Sequence, residues 1–96
     1  EKPAESNVEG DLKQLLGLAP NSVFELLGSP GFVRSDGRSE IWQYPAEACI
    51  LDVFLYQKGG AFKVDYVELR GRGATTLSRH DCFIEMLRKQ LKSKSG

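Results

Sequence analysis

Nowhere in its 96 residues does the chain carry an apolar run near the ~20 positions that span a bilayer, so no membrane helix is expected. Histidine occurs once, at His80, and cysteine twice, at Cys49 and Cys82. Such a set has no recognised ligand spacing, so neither a metal nor a cofactor is expected. The glycine-rich stretches "GSPG" and "GRGA" lack the Gly-Lys-Ser/Thr that completes a phosphate cradle, and read as turns. No internal repeat or low-complexity segment appears. The chain opens on Glu1 rather than Met, with no apolar secretory stretch, so Glu1 is expected to be the boundary of a processed or recombinant chain.

What is present fits one small domain. An apolar fraction of 41% and a charged fraction of 27% are ordinary for a globular protein, and the length leaves no room for a second core. The net charge is zero, yet it is unevenly spread. Residues 1–69 hold 6 Lys/Arg against 11 Asp/Glu, and residues 70–96 hold 7 against 2. The basic end offers Arg88, Lys89, Lys92 and Lys94 to an anionic lipid surface. It also suits the C-terminal pole of a helix, where cations complement the macrodipole, and no nucleic-acid partner is expected.

Residues 1–10, "EKPAESNVEG", are polar and read as a flexible tether, which leaves residues 11–96 as the folded domain. Leucines 12, 15 and 16 have the i, i+3, i+4 spacing of a short helix that Gly17 can end. A second helix is expected from Pro20, which suits a first helical position, to Gly28, with Val23, Phe24, Leu26 and Leu27 as its apolar stripe. From Gly31 the period becomes two. Strands are expected at about 31–35, 40–44 and 48–57, and over "AFKVDYVELR", joined by turns at Asp36-Gly37 and Gly59-Gly60. Alternation sets Cys49, Leu51, Val53 and Leu55 on one face of the third strand, and Ile50, Asp52, Phe54 and Tyr56 on the other. In the fourth it groups Phe62, Val64 and Tyr66 against Lys63, Asp65 and Val67. Ser78 and Asp81 form a capping-box pattern that opens a last helix over 79–92, with Phe83, Leu87 and Leu91 as its apolar edge and Cys82 and Met86 beside them. The fold class is therefore α+β: two short N-terminal helices on a three- to four-stranded antiparallel meander, plus a C-terminal helix.

Cys49 and Cys82 each fall on the apolar face of their element, and a helix laid across a sheet brings such positions within the ~5.5 to 6 Å between Cα atoms that a disulfide requires. Spacing alone leaves two readings standing: a bridge, or two buried free thiols.

"LLGLAPNSVFELLGSP", then "WQY", "LDVFLY" and "KVDYVEL", resembles the SmpA/OmlA (BamE-like) family of small bacterial outer-membrane lipoprotein domains. The pattern falls on Gly17, Val23, Gly28, Pro30, Trp42, Tyr44, Leu51, Val53 and Val67, and covers about residues 12 to 69. The resemblance implies two helices packed on an antiparallel sheet, a lipid anchor on a cysteine upstream of residue 1, and a place in the periplasm at the outer membrane. That compartment is oxidising, so the resemblance favours the Cys49–Cys82 bridge.

Catalytic constellations are thin. Ser78, His80 and Asp81 are neighbours on one turn and point in different directions, whereas a triad needs converging groups. Asp52, Asp65 and Glu68 read as solvated strand acids. Aromatics carry more: Trp42 and Tyr44 share one face of their strand, and Ile50, Phe54 and Tyr56 share one face of the next. Together with Asp52 these six are the expected partner surface, unless the last helix covers it. A Cys49–Cys82 bridge would hold that helix on the other side. The expected function is a non-enzymatic, lipid-anchored module that binds envelope proteins or supports an assembly. The alternatives are an inhibitor-like module that binds a hydrolase, and a lipid- or small-molecule-binding domain.

Overall fold

The computed structural model describes residues 12–72 and 79–95, with the side chains of 93–95 excepted. Helix α1 (Pro20–Leu27) leads into strands β1 (Phe32–Asp36), β2 (Ser39–Pro45), β3 (Cys49–Lys58) and β4 (Ala61–Gly71), and helix α2 (Arg79–Ser95) follows. The strands form one antiparallel sheet in the order β1-β2-β3-β4, so the meander is as expected. The tether at 1–10 and the Ser78 half of the capping box lie outside the described residues.

One N-terminal helix is found, not two. Over residues 12–18 the backbone makes turns closed three residues on, from Leu15 to Leu12, Leu16 to Lys13 and Leu18 to Leu15. Gly17 then takes φ +85° and donates its N–H to Val64 O at 2.9 Å, while Val64 N–H returns a bond of 2.9 Å to Leu18 O. So few residues cannot offset the cost of nucleating a helix, and the chain instead caps part of the outer edge of β4. Leu15 still reaches the core, while Leu16 stays exposed.

Helix α1 starts at Pro20 without a side-chain cap from Ala19 and stops at Gly28, whose φ is +82° and whose N–H bonds Phe24 O. A Cβ at Gly28 would also come within 2.6 Å of Gln90 Oε1, so the glycine lets α1 and α2 approach closely. Of the expected stripe only Val23 and Leu27 are buried; Phe24 and Leu26 are exposed, because eight residues cover the sheet along a single narrow line.

The turns set the register. Gly37 at φ +62° followed by a residue of negative φ is a type II′ turn between Asp36 and Ser39, and Gly59 and Gly60, both at positive φ, make a type I′ turn between Lys58 and Ala61. The β3–β4 ladder slips at Phe54/Leu55, where a bulge changes its parity. Before the bulge Leu55 faces Val64; after it Phe54 faces Tyr66 and Val53 faces Val67. Tyr66 therefore leaves the side of Phe62 and Val64, and Val67 joins it, the reverse of what strict alternation predicts.

Both helices lie on the side of Cys49. The core there gathers Leu15, Val23, Leu27, Tyr44, Leu51, Val53, Leu55, Val64, Leu69 and Phe83. Cys49, at the start of β3, is bridged to Cys82 in the first turn of α2, with the Cα atoms 6.1 Å apart and both residues buried. The expected apolar edge of α2 is buried at Phe83, half-buried at Leu87 and exposed at Leu91, because the end of the helix overhangs the sheet.

Candidate docking surface

The six residues expected to form one surface lie on two faces. Register pairs Trp42 with Val53 and Tyr44 with Leu51, and directly paired residues of an antiparallel ladder share a face, so Trp42 and Tyr44 belong to the helix-covered side. Their grouping with Asp52 is corrected accordingly. Trp42 is half-buried against the core, and its Nε1–H donates to Glu40 Oε1 at 2.9 Å. Tyr44 is buried and donates its hydroxyl to Gly28 O at 2.9 Å, tying β2 to the end of α1. Burial pushes that hydroxyl far above the usual tyrosine range, because the phenolate would have to form away from water.

Ile50, Asp52, Phe54 and Tyr56 do share the opposite side of β3, which carries neither helix. Their ladder partners complete the surface: Ile41 and Gln43 from β2, Tyr66, Glu68 and Arg70 from β4. Phe32 extends it onto β1 through Gln43. Tyr66 is 55% and Phe32 58% exposed, Tyr56 is exposed at its rim, and Phe54 and Ile41 are half-buried. The Phe54 and Tyr66 rings stack at a tilt with centroids 5.4 Å apart, a pairing created by the bulge.

Asp52 sits at the centre and is only 6% exposed. Arg70 Nη2 donates to its Oδ2 at 2.7 Å and Gln43 Nε2 to its Oδ1 at 3.0 Å, so one neighbour on each flanking strand takes one carboxylate oxygen. An acid is tolerated between Leu51 and Val53 because the pleat turns it away from the core and two cross-strand donors replace its water. The Arg70 side chain stays 45% exposed, so the clasp presents a positioned guanidinium among the rings. Asp65, which the bulge leaves unpaired in the ladder, lies 3.6 Å from Lys58. The arrangement combines aromatic area with oriented charge, the chemistry of recognition. Among the described residues no group of three His, Cys, Asp or Glu side chains converges as a metal site.

No family model, curated protein or solved structure matches the chain.

Arg88, Lys89 and Lys92 are exposed on α2, and the Lys94 side chain lies outside the described set. Beside Lys89 an open groove of about 360 Å³ runs between α1, the end of β2 and α2, floored by Leu27, Tyr44, Pro45 and Met86. His80 is mostly buried rather than facing solvent, with Nδ1 4.0 Å from Asp81, because the disulfide draws the first turn of α2 onto the sheet. Sequence reasoning missed Phe32, Ile41, Gln43, Tyr66 and Arg70. The Gly59-Gly60 turn was a signal for pairing β3 with β4, but carried forward without the bulge it sets Phe54 against Asp65 instead of Tyr66.

Proposed function

We propose that this protein is a non-enzymatic interaction module of an oxidising extracytoplasmic compartment, which docks a protein partner on its helix-free sheet face. One observation carries the reading: a contiguous side of the sheet holds Phe32, Phe54, Tyr56 and Tyr66 in or near solvent around the Asp52–Arg70–Gln43 clasp, while the opposite side is packed and bridged. Exposed aromatic anchors around an ordered charge pair are the composition of an interface centre, and few monomers leave so many rings on one side. The disulfide supports the compartment, since buried bridges persist where thiols are not continuously reduced. The likeness to the SmpA/OmlA family adds the periplasmic side of the outer membrane and an envelope protein as partner.

Photo-crosslinking in a bacterial envelope tests this. A photoreactive residue at Tyr66 is expected to give a discrete adduct with an envelope protein, lost when Phe32→Asp is added, while the same residue at Glu85 on α2 gives none. Absence of any Tyr66 adduct, or equal labelling from Glu85, would sink the reading. Recovery of Cys49 and Cys82 as free thiols from that compartment would sink its location.

A further inference from the structure

The outer edge of the sheet at β1 is self-complementary, and from it we infer that two copies of this chain associate by antiparallel pairing of their β1 strands about Ser35. All five residues of β1 are exposed, while the opposite edge of the sheet is occupied at Val64 by the backbone of Gly17 and Leu18. The type II′ turn makes Asp36 and Ser39 the closing hydrogen-bonded pair of the hairpin, so Arg34 and Phe32 also turn their N–H and C=O groups toward β2. Val33 and Ser35 turn theirs outward, where an added strand would find them.

Charge selects among the two-fold registers. Pairing centred on Arg34 sets that residue against its own copy, and pairing centred on Asp36 sets two carboxylates together. Centring on Val33 leaves Asp36 beyond the paired segment. Centring on Ser35 sets Arg34 against the partner's Asp36 and Asp36 against the partner's Arg34. It also places both contacts at non-hydrogen-bonded positions, where side chains come closest. Within one chain, Arg34 and Asp36 have no ion pair or side-chain hydrogen bond among the described residues, so both charges are available to a neighbour. The pairing buries no part of the face that carries Tyr66, and it does not rest on the docking function proposed above.

Sedimentation equilibrium of the intact, oxidised chain from about 10 µM to about 1 mM covers the range of a small interface. A monomer–dimer equilibrium is expected, with slowed amide exchange at Val33 and Ser35 at the high end. Arg34→Asp or Asp36→Arg alone is expected to weaken association about tenfold, since each sets like charges in contact twice per dimer. The double exchange Arg34→Asp/Asp36→Arg restores it. A chain that stays monomeric to 1 mM overturns the inference. So does a dimer that both single reversals leave intact, that the double exchange fails to restore, or whose Val33 and Ser35 amides gain no protection. If a reversed variant does not fold, the amide protection in the unaltered chain still decides.

Discussion

The side of the sheet that carries Cys49, Leu51, Val53 and Leu55 is covered by both helices and bridged to one of them, whereas the side that carries Phe54, Tyr56 and Tyr66 leaves rings in solvent. Both sides use similar residue types, since each sets large apolar side chains on neighbouring strands. They differ in what lies over them. On the covered side every large side chain has been removed from water and contributes in proportion to its buried area; on the other, much of the aromatic surface remains hydrated and contributes little to the fold. Apolar composition alone therefore does not distinguish a core from a docking surface.

Truncation on each face breaks or sharpens this contrast. Phe83→Ala removes a fully buried ring from the covered side and is expected to cost about 3–5 kcal/mol in chemical denaturation, while Tyr66→Ala is expected to cost no more than about 1 kcal/mol. Equal losses would mean that the open face is packed in solution. Opening the bridge with Cys49→Ala/Cys82→Ala releases a loop with a sequence separation of 33 and is expected to cost about 3–4 kcal/mol by the same measurement.

A subtler asymmetry lies within the clasp. Arg70→Met leaves the buried Asp52 carboxylate with Gln43 as its remaining charge-facing donor and is expected to cost about 2 kcal/mol, below the range for fully buried pairs because Arg70 is half in solvent. Asp52→Leu frees an arginine that can reach water and is expected to stay within about 1 kcal/mol. The reverse order would show that Asp52 supports the fold more than the surface.

The smallest effect concerns Tyr44→Phe. It deletes the bond to Gly28 O and is expected to cost about 1 kcal/mol near neutral pH. The pH dependence has a definite sign. The Tyr44 hydroxyl is held above its usual value, near 10, in the folded state, so its contribution is complete below about pH 10. Above that the unfolded chain ionises first, and stability falls as pH rises. Denaturation midpoints between about pH 9 and 11 should decline less steeply in Tyr44→Phe.

How much of this could be read in advance depended on range along the chain. The strands, their turns at Gly37 and Gly59-Gly60, the C-terminal helix and the face of β3 that holds Asp52 all follow from alternation and turn chemistry within a few residues. The helix expected over Leu12 to Leu16 failed because its fate was decided by Val64, some fifty positions away in sequence, whose backbone groups draw Gly17 and Leu18 into pairing. Half of the candidate surface was misgrouped for a related reason. Which face Trp42 and Tyr44 take is a matter of parity between β2 and β3, and no residue within β2 records it.

By itself the sequence determined the alternation that gives each strand two unlike faces, the glycines that allow its tight turns, and two cysteines on apolar positions. Those are local properties, set by the sterics of each residue and its nearest neighbours. Only the tertiary structure decided which faces of separate strands coincide, that a bulge moves Tyr66 beside Phe54, and that Arg70 and Gln43 close on Asp52. Each of these depends on register between distant segments, where a shift of one residue reverses every side chain and only the balance of burial over the whole sheet selects the outcome.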